Sequence, residues 1–326
     1  MRRRDLVKAI AGAAAWPFAA RAQDSGRSPL IGWLDGQDES DPLSRSVRVA
    51  LRQGLAEHGW IEGRNLRIEW RFGAADANRI AALAGELVSL SPRMIVAGGA
   101  APAQAARQVT QSIPIVFTGG GDATVIGLVK NIGRPEGNIT GFSNSEPLIG
   151  GKWLELLKEA APHVIRVAIV FNPDLGPTAP RYIASAEAAA QRHSVQLIKV
   201  PFHDAVELVR AIDAFAAEPN GGLMLLPPSP LRRTVLQLAA QHRLPAIYSL
   251  KALVSDGGLL SYSADFVEQH RRAASYIDRI LRGAKIADLP VQWPTKYQLV
   301  VNVKTAKAIG LAIPEAFLLQ ADELIE

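Results

Sequence analysis

Apolar residues recur along the chain with two alternating periods, and this alternation predicts the elements of the fold. Short apolar runs, such as LIGWLD at 30–35 and IPIVFT at 113–118, are typical of buried β-strands. Between such runs lie longer segments, such as 44–59 and 77–90, in which apolar residues recur every three or four positions, as in amphipathic helices. Strands and helices alternate in this way up to NITGF at 138–142, which predicts an open parallel α/β sheet.

The alternation restarts after residue 146, so the sequence predicts a second α/β lobe of similar size. The seam lies near residues 143–146, and a second crossing of the chain lies near residues 261–263. We expect lobe one at residues 28–143 plus about 264–290 and lobe two at 144–262, and we leave the C-terminal segment 291–326 unassigned. Two Rossmann-like lobes joined by more than one crossing form a hinged cleft, with the carboxyl ends of their strands facing each other.

The first residues, MRRRDLVKAIAGAAAWPFAARAQ, have the plan of an export signal. A basic head precedes a mildly apolar stretch at 9–20 and a small-x-small site that ends at Ala22. We therefore predict a signal peptide at residues 1–22, cleaved after Ala22. The pair Arg3-Arg4 fits the twin-arginine pattern, and an ordinary Sec leader is the alternative. Because a membrane span needs roughly 20 apolar residues, we expect the mature chain in the periplasm and not inserted in the membrane.

Charge and cysteine content narrow the possible partners. The formal net charge is +5, but the predicted leader holds five basic residues against one acidic residue, so the mature chain is close to neutral. The net positive charge of the full chain therefore gives no support to a nucleic-acid partner. The sequence contains no cysteine, which excludes disulfides, thiolate metal sites, a cysteine nucleophile and a lipid-anchored cysteine.

The stretch VFTGGGDA at 116–123 poses the main functional question. The chain has neither a GxxxxGK[ST] loop nor a GxGxxG after its first strand, so no nucleotide cofactor is expected. Two interpretations of the glycines remain: a structural turn, or backbone that lets a ligand come close at the cleft. Asp122 either binds an ammonium group of a ligand or caps the helix predicted for TVIGLVKNI at 124–132.

Further candidates for the cleft share one position, the carboxyl end of a predicted strand or the start of the next segment. Taken singly, each also fits an ordinary turn or cap, but together they cluster at the expected cleft. The start of the helix after Gly99 adds free backbone N–H groups, which suit a carboxylate. The predicted ligand-binding residues are Gly36, Gln37, Ala101, Pro102, Gly119, Gly120, Asp122, Asn144, Asn172, Thr178, Ser229, Tyr248 and Tyr262.

Catalytic signals are sparse. None of the six histidines belongs to an HExxH motif, and no GxSxG elbow occurs. A Ser-His-Asp set assembled in space is the alternative that sequence leaves open. We therefore expect no enzyme activity, no metal and no cofactor.

Several blocks carry a resemblance to a known family. The chain resembles the periplasmic substrate-binding proteins of ABC transporters, in the branch of the tryptophan- and tyrosine-type binding proteins. The resemblance implies a type I periplasmic binding fold, a monomer whose lobes close over a small molecule, and an ABC permease in the inner membrane as partner. The blocks are GLAEHGWIEGRNLRIEWRFGAAD, IPIVFTGGGDATVIGLVKNIGRPEGNITGF, GGKWLELLKEAAP, LPAIYS, GGLLSYSADFVEQHRRAASYIDRILRG and TKYQLVVNVKTAKAIGL.

The resemblance carries over to site residues only in part. The family's A-T-P-A-A-Q-A block reads GAAPAQA at 99–105, so Ala101 stands where relatives have a hydroxyl. Its T-D-P block keeps Asp122, a position that implies recognition of an amino group, and its N-P pair matches Asn172-Pro173. The implied function is capture of a small molecule, such as an amino acid or related small organic acid, for an ABC importer.

Other functions of the same fold remain as alternatives. A periplasmic ligand-sensing module that signals to a membrane receptor would use the same cleft. A transcription regulator would need a DNA-binding helix-turn-helix ahead of the first lobe, and the predicted leader occupies that place.

Overall fold

The computed structural model describes residues 28–326 except residues 145, 147, 176–177 and 228–230. The predicted export signal with its cleavage site and the candidate Ser229 therefore lie outside the described residues.

A five-stranded parallel sheet, in the order β2-β1-β3-β4-β5, forms the first lobe. Its central strands are apolar on both faces because helices cover both sides, and Ile31, Val96 and Phe117 are fully buried. The elements are β1 (Leu30–Asp35), α1 (Pro42–Glu57), β2 (Arg67–Phe72), α2 (Ala77–Ser89), β3 (Met94–Gly98), α3 (Ala100–Val109), β4 (Ile115–Thr118) and β5 (Ile139–Phe142).

A late helix, α9 (Phe266–Leu281), returns to this first lobe and packs against α1. The two helices approach so closely at Gly54 that a Cβ there would lie 2.4 Å from the carbonyl oxygen of Arg271. The indole Nε1 of Trp60 donates to the Asp278 carboxylate over 2.8 Å. The first lobe is therefore built from two separate stretches of the chain.

A seven-stranded sheet, in the order β12-β11-β10-β9-β8-β6-β7, forms the second lobe. All neighbouring strands are parallel except β10 and β11, which are antiparallel. Its elements are α4 (Ile149–Ala160), β6 (Arg166–Phe171), α5 (Ala179–His193), β7 (Gln196–Pro201), α6 (Ala205–Ala216), β8 (Gly221–Leu225), α7 (Arg232–Gln241), β9 (Ala246–Tyr248), α8 (Lys251–Ser255), β10 (Leu260–Ala264), β11 (Tyr297–Asn302), α10 (Val303–Ile309), α11 (Glu315–Leu318) and β12 (Glu323–Ile325).

The chain passes between the two sheets after β5, after β10 and before β11. The three passages lie side by side. Ser143 N–H donates to the carbonyl of Gln292 over 2.9 Å, and Asp265 N–H donates to the carbonyl of Lys296 over 3.1 Å. This bundle of short segments connects the lobes and is the place where a change of lobe angle would be absorbed.

One predicted helix is not formed in the structure. Residues 124–132, predicted as a helix, form a series of turns instead. Gly127 adopts a left-handed φ of +73°, which an α-helix does not allow, and the preceding β-branched residues have only modest helix propensity. Within the described part of the chain, no helix has both the length and the apolar character needed to cross a membrane.

Candidate functional site

The three glycines that follow β4, residues 119–121, form what we call the glycine loop. Their φ angles are +80°, +89° and +90°, so all three occupy the left-handed region that favours glycine. A Cβ on Gly120 would lie only 2.8 Å from the backbone nitrogen of Ala100. The backbone of the glycine loop therefore packs directly against the first residue of α3, which supports the structural-turn interpretation. The approach of a ligand to this backbone stays a prediction.

Asp122, next to the glycine loop, contacts both lobes. It is only 4% exposed. Its Oδ1 accepts hydrogen bonds from the backbone N–H and the hydroxyl of Thr124, over 2.9 and 2.7 Å. Its Oδ2 lies 2.5 Å from Nη1 of Arg181, which belongs to the first turn of α5 in the second lobe. Asp122 thus caps the turn that follows it and forms an ion pair across the cleft.

The first passage between the lobes is attached to the glycine loop. Asn144 Oδ1 accepts the N–H of Gly121 over 2.6 Å, and Ser143 Oγ accepts the N–H of Ala123 over 3.3 Å. The side-chain amide of Gln269 on α9 donates to the Ser143 carbonyl over 2.6 Å. A movement of this passage would therefore be transmitted directly to the loop.

The carboxyl ends of β1 and β3 lie beside the same loop. The N–H of Gly36 donates to the carbonyl of Gly98 over 3.2 Å. A Cβ on Gly36 would lie 3.4 Å from Cγ of Pro102, so the turn after β1 packs on the first turn of α3. Ala101 and Gln37 are exposed, whereas Pro102 is buried.

A second buried carboxylate, Asp35, lies at the end of β1. Its Oδ1 accepts the N–H of Gln37 over 2.9 Å, and its Oδ2 accepts the hydroxyl of Ser44 over 3.0 Å. Both of its oxygens are thus used to hold the turn after β1 and the start of α1. This bonding gives Asp35 a structural role at the edge of the cleft.

On the second lobe, the start of α5 faces the glycine loop. Thr178 occupies the N-cap position of α5, but its side chain makes no capping hydrogen bond. A Cβ on Gly121 would lie 3.6 Å from Cγ2 of Thr178. Asn172 is used locally, since its Oδ1 accepts the N–H of Asp174 over 2.8 Å. From the second lobe, Thr178 therefore approaches Gly121, and Arg181 contacts Asp122.

The two predicted tyrosines lie in different environments. The ring of Tyr248 is 1% exposed and packs in the apolar core of the second lobe, and burial raises its pKa. Tyr262 is half-buried and stacks on Tyr297, with ring centroids 5.1 Å apart and planes inclined by 14°. The Tyr262 carbonyl accepts the indole N–H of Trp153 over 2.7 Å. Tyr262 thus lies by the interlobe passages, and the Tyr248 ring lies within the packed lobe.

The structure brings most of the predicted residues to one place and adds others. The glycine loop, Asp122, Asn144 and Thr178 lie together, with Gly36 and Pro102 beside them. Sequence reasoning missed Arg181, which it treated only as a residue of a helix. The one feature of the sequence that could have indicated Arg181 is its position in the first turn of the helix that follows β6. No group of side chains within the described residues is arranged to hold a metal ion.

Comparison with known proteins fixes the family. The family model described as ABC transporter substrate binding protein matches residues 40–325. The chain belongs to this family. Its members bind solutes and are not enzymes.

Individual relatives agree with this assignment. A tyrosine-binding protein of Clostridioides difficile (strain R20291) is 25% identical over 274 residues, which cover 83% of this chain and 78% of the relative. A conserved domain protein of Vibrio cholerae O1 biovar El Tor is 26% identical, and its crystal structure superposes with a TM-score of 0.80 over 91% of this chain and 100% of its own.

A third relative supports the fold. The structure of an ABC domain from Streptococcus pneumoniae in complex with L-Trp gives a TM-score of 0.81 at 23% identity, over 92% of this chain and 100% of its own. The architecture is that of the two-lobed type I periplasmic binding proteins. The expected family and fold class are thus confirmed.

Proposed function

We propose that this protein is the periplasmic solute-binding component of an ABC importer. It captures a small molecule that carries a carboxylate, such as an amino acid or a related small organic acid, by closing its lobes, and it delivers this solute to a permease in the inner membrane. The monomeric, exported and unlipidated state expected from the sequence is part of the proposal.

The ion pair between Asp122 and Arg181 is the observation that carries the proposal. It joins the carboxyl end of β4 in one lobe to the start of α5 in the other. In open parallel α/β sheets, ligands bind beyond the carboxyl ends of the strands, which is where these two groups meet. A solute held there contacts both lobes, so its binding favours the closed arrangement.

Backbone donors near this ion pair suit a carboxylate. The N-cap residue of α3, Gly99, supplies no side-chain cap, so the first N–H groups of α3 are not satisfied by a capping side chain. Such N–H groups and the positive end of the helix dipole attract anions. We assign ligand contacts to Gly36, Gln37, Ala101, Pro102, Gly119, Gly120, Asn144, Asn172, Thr178 and Tyr262, with Asp122 lining the site as the partner of Arg181. Ser229 stays a prediction from the sequence, and Tyr248 would support the site from within the core.

The proposal is tested by thermal unfolding of the protein purified from the periplasm of cells expressing the full chain. The panel comprises amino acids, small organic acids, purines and sugars. A ligand that binds only the folded state, at about 1,000 times its dissociation constant, stabilises it by roughly 4 kcal/mol. We expect one class of carboxylate to raise the melting temperature by several degrees and to be recovered unchanged.

Three results would count against the proposal. Chemical conversion of the bound compound would contradict a transport role. An unresponsive protein that native mass spectrometry also shows to be empty would contradict capture of these solutes. Binding without any permease encoded nearby would favour the ligand-sensing alternative.

A further inference from the structure

We infer that Arg181 determines specificity by occupying Asp122, so that the cleft selects carboxylic acids without a primary ammonium group. The inference rests on the proposed function, because it narrows the class of solute that the proposed site takes. Arg181 thus places its own positive charge beside Asp122, where the ammonium group of an amino acid would otherwise bind.

The first argument is the occupancy of the Asp122 carboxylate. Its Oδ1 receives two donors from Thr124, at 2.9 and 2.7 Å, and its Oδ2 receives the Arg181 guanidinium at 2.5 Å. The Asp122 side chain is only 6% exposed. A ligand ammonium could reach Oδ2 only by competing with a guanidinium that is covalently part of the protein and already in place.

The second argument concerns the other buried carboxylate at this edge of the first sheet, among the residues that the structure describes. Asp35 is the other buried carboxylate there, and its two oxygens are used by Gln37 N–H and the Ser44 hydroxyl. Ala101, in the first turn of α3, has no side-chain acceptor to offer. At this edge of the sheet, an α-ammonium group would therefore have to share a carboxylate that already accepts two or more hydrogen bonds, or be desolvated unpaired, which is costly.

The third argument is the charge that remains available to an anion. Arg181 is 48% exposed and uses Nη1 for Asp122, and a guanidinium has five N–H donors in all. A ligand carboxylate can approach this exposed fork without breaking the ion pair. The arrangement therefore favours a solute with a net negative charge over a zwitterion.

The experiment compares matched pairs of ligands that differ only by a hydroxyl in place of the ammonium group. We would titrate the purified protein calorimetrically with L-tyrosine and 4-hydroxyphenyllactate, L-tryptophan and indole-3-lactate, L-leucine and 2-hydroxy-4-methylpentanoate, and L-glutamate and 2-hydroxyglutarate. Variants R181Q, R181K and R192Q are tested alongside. Arg192 lies on the same helix, 61% exposed and paired with Glu155, so R192Q makes the same charge change away from Asp122.

In the unmodified protein we expect the hydroxy acid to bind at least tenfold more tightly than its amino acid in the pair that binds best, about 1.4 kcal/mol. R181Q should reduce this ratio by about tenfold or reverse it, because it frees Asp122 for an ammonium group. R181K keeps the cation and should preserve the preference, as should R192Q. The readout is the ratio of the affinities for the two ligands of a pair. A general loss of stability would lower the affinity for both ligands and leave this ratio unchanged.

The possible failures are distinguishable. Equal or tighter binding of the amino acid to the unmodified protein, or an unchanged ratio in R181Q, would overturn the inference and leave the proposed function standing. Absence of binding by every compound and variant would overturn both the inference and the capture of these carboxylates.

Discussion

The imidazole of His270 lies against the hydroxyl of Thr118, with 2.9 Å between His270 Nε2 and Thr118 Oγ1. Its Nδ1 lies 2.7 Å from the carbonyl oxygen of Phe266, so Nδ1 carries the proton and Nε2 accepts from Thr118. Burial lowers the pKa of His270, against smaller opposing effects of the Phe266 carbonyl and Asp35. A neutral histidine therefore joins α9 to the end of β4, directly below the glycine loop.

This pairing predicts a loss of stability on acidification. Because the pKa of His270 is lower in the folded state than the ordinary value of 6.5, the unfolded state takes up a proton first as the pH falls. Stability should be complete above about pH 6.5 and then decline by up to about 1.4 kcal/mol per pH unit. Urea unfolding between pH 7.5 and 5 measures this slope.

The matched variants are H270N and H163N. H270N keeps a donor for the Phe266 carbonyl and removes the titration, so it should flatten the slope whatever it does to the absolute stability. His163 is exposed, so H163N serves as the control for replacing a histidine outside the core. An equal slope in H270N and the unmodified protein would contradict the assignment.

Two helical glycines predict opposite effects of alanine. Gly54 on α1 faces α9, where an added Cβ would lie 2.4 Å from a backbone oxygen, so G54A must push the helices apart. We expect it to lower the free energy of unfolding by at least about 2 kcal/mol, as overpacking does. Gly85 on α2 has no atom within 4 Å of an added Cβ. G85A should raise the free energy of unfolding by about 0.5–1 kcal/mol. Urea unfolding measures both changes. A change of the same sign in both variants would contradict the close approach of α1 and α9.

The glycine loop predicts a selective defect in G120A. Gly120 combines φ of +89° with a backbone atom 2.8 Å from the added Cβ. Gly137 has a similar φ of +77° but no atom within 4 Å, so G137A isolates the conformational cost of about 1–2 kcal/mol. G120A should lower the free energy of unfolding by clearly more than G137A does, and it should also weaken ligand binding. G137A should bind the ligand with the affinity of the unmodified protein. Both variants are titrated calorimetrically with the ligand that stabilises the unmodified protein. An affinity of G120A equal to that of the unmodified protein would show that the loop is not part of the site.

The ion pair across the cleft predicts a shift in the lobe equilibrium. R181Q removes a bond between Asp122 and the second lobe, and partly exposed pairs of this kind contribute up to about 1 kcal/mol. The ligand-free variant should therefore populate open conformations several times more than the unmodified protein, which small-angle X-ray scattering detects as a larger radius of gyration. R192Q is the control. An unchanged radius in R181Q would mean that other contacts set the lobe angle.

Most of the fold follows from the sequence because period and capping are local. Asp76, an N-cap residue type that directly precedes the apolar pattern at 77–90, accepts the N–H groups of Asn78 and Arg79 at the start of α2. The helix expected at 124–132 failed because the conformation of Gly127 outweighs an apolar pattern. The ion pair of Arg181 could not be predicted, because it depends on how two lobes meet, and periodicity carries no information about partners distant in the chain. The same limit applied to residues 297–325, whose sheet partner, β10, is not a local property.

The return of α9 to the first lobe has a consequence for the order of folding. The partners Trp60 and Asp278 are 218 positions apart, and residues of α9 such as Ala273 and Ile277 complete the apolar core beneath β1 and β4. Because the chain is synthesised from its N-terminus, the first lobe lacks one covering helix until the second lobe has been synthesised as far as β10. Such non-local contacts slow folding. We therefore expect the first lobe to complete its fold only after α9 has been synthesised.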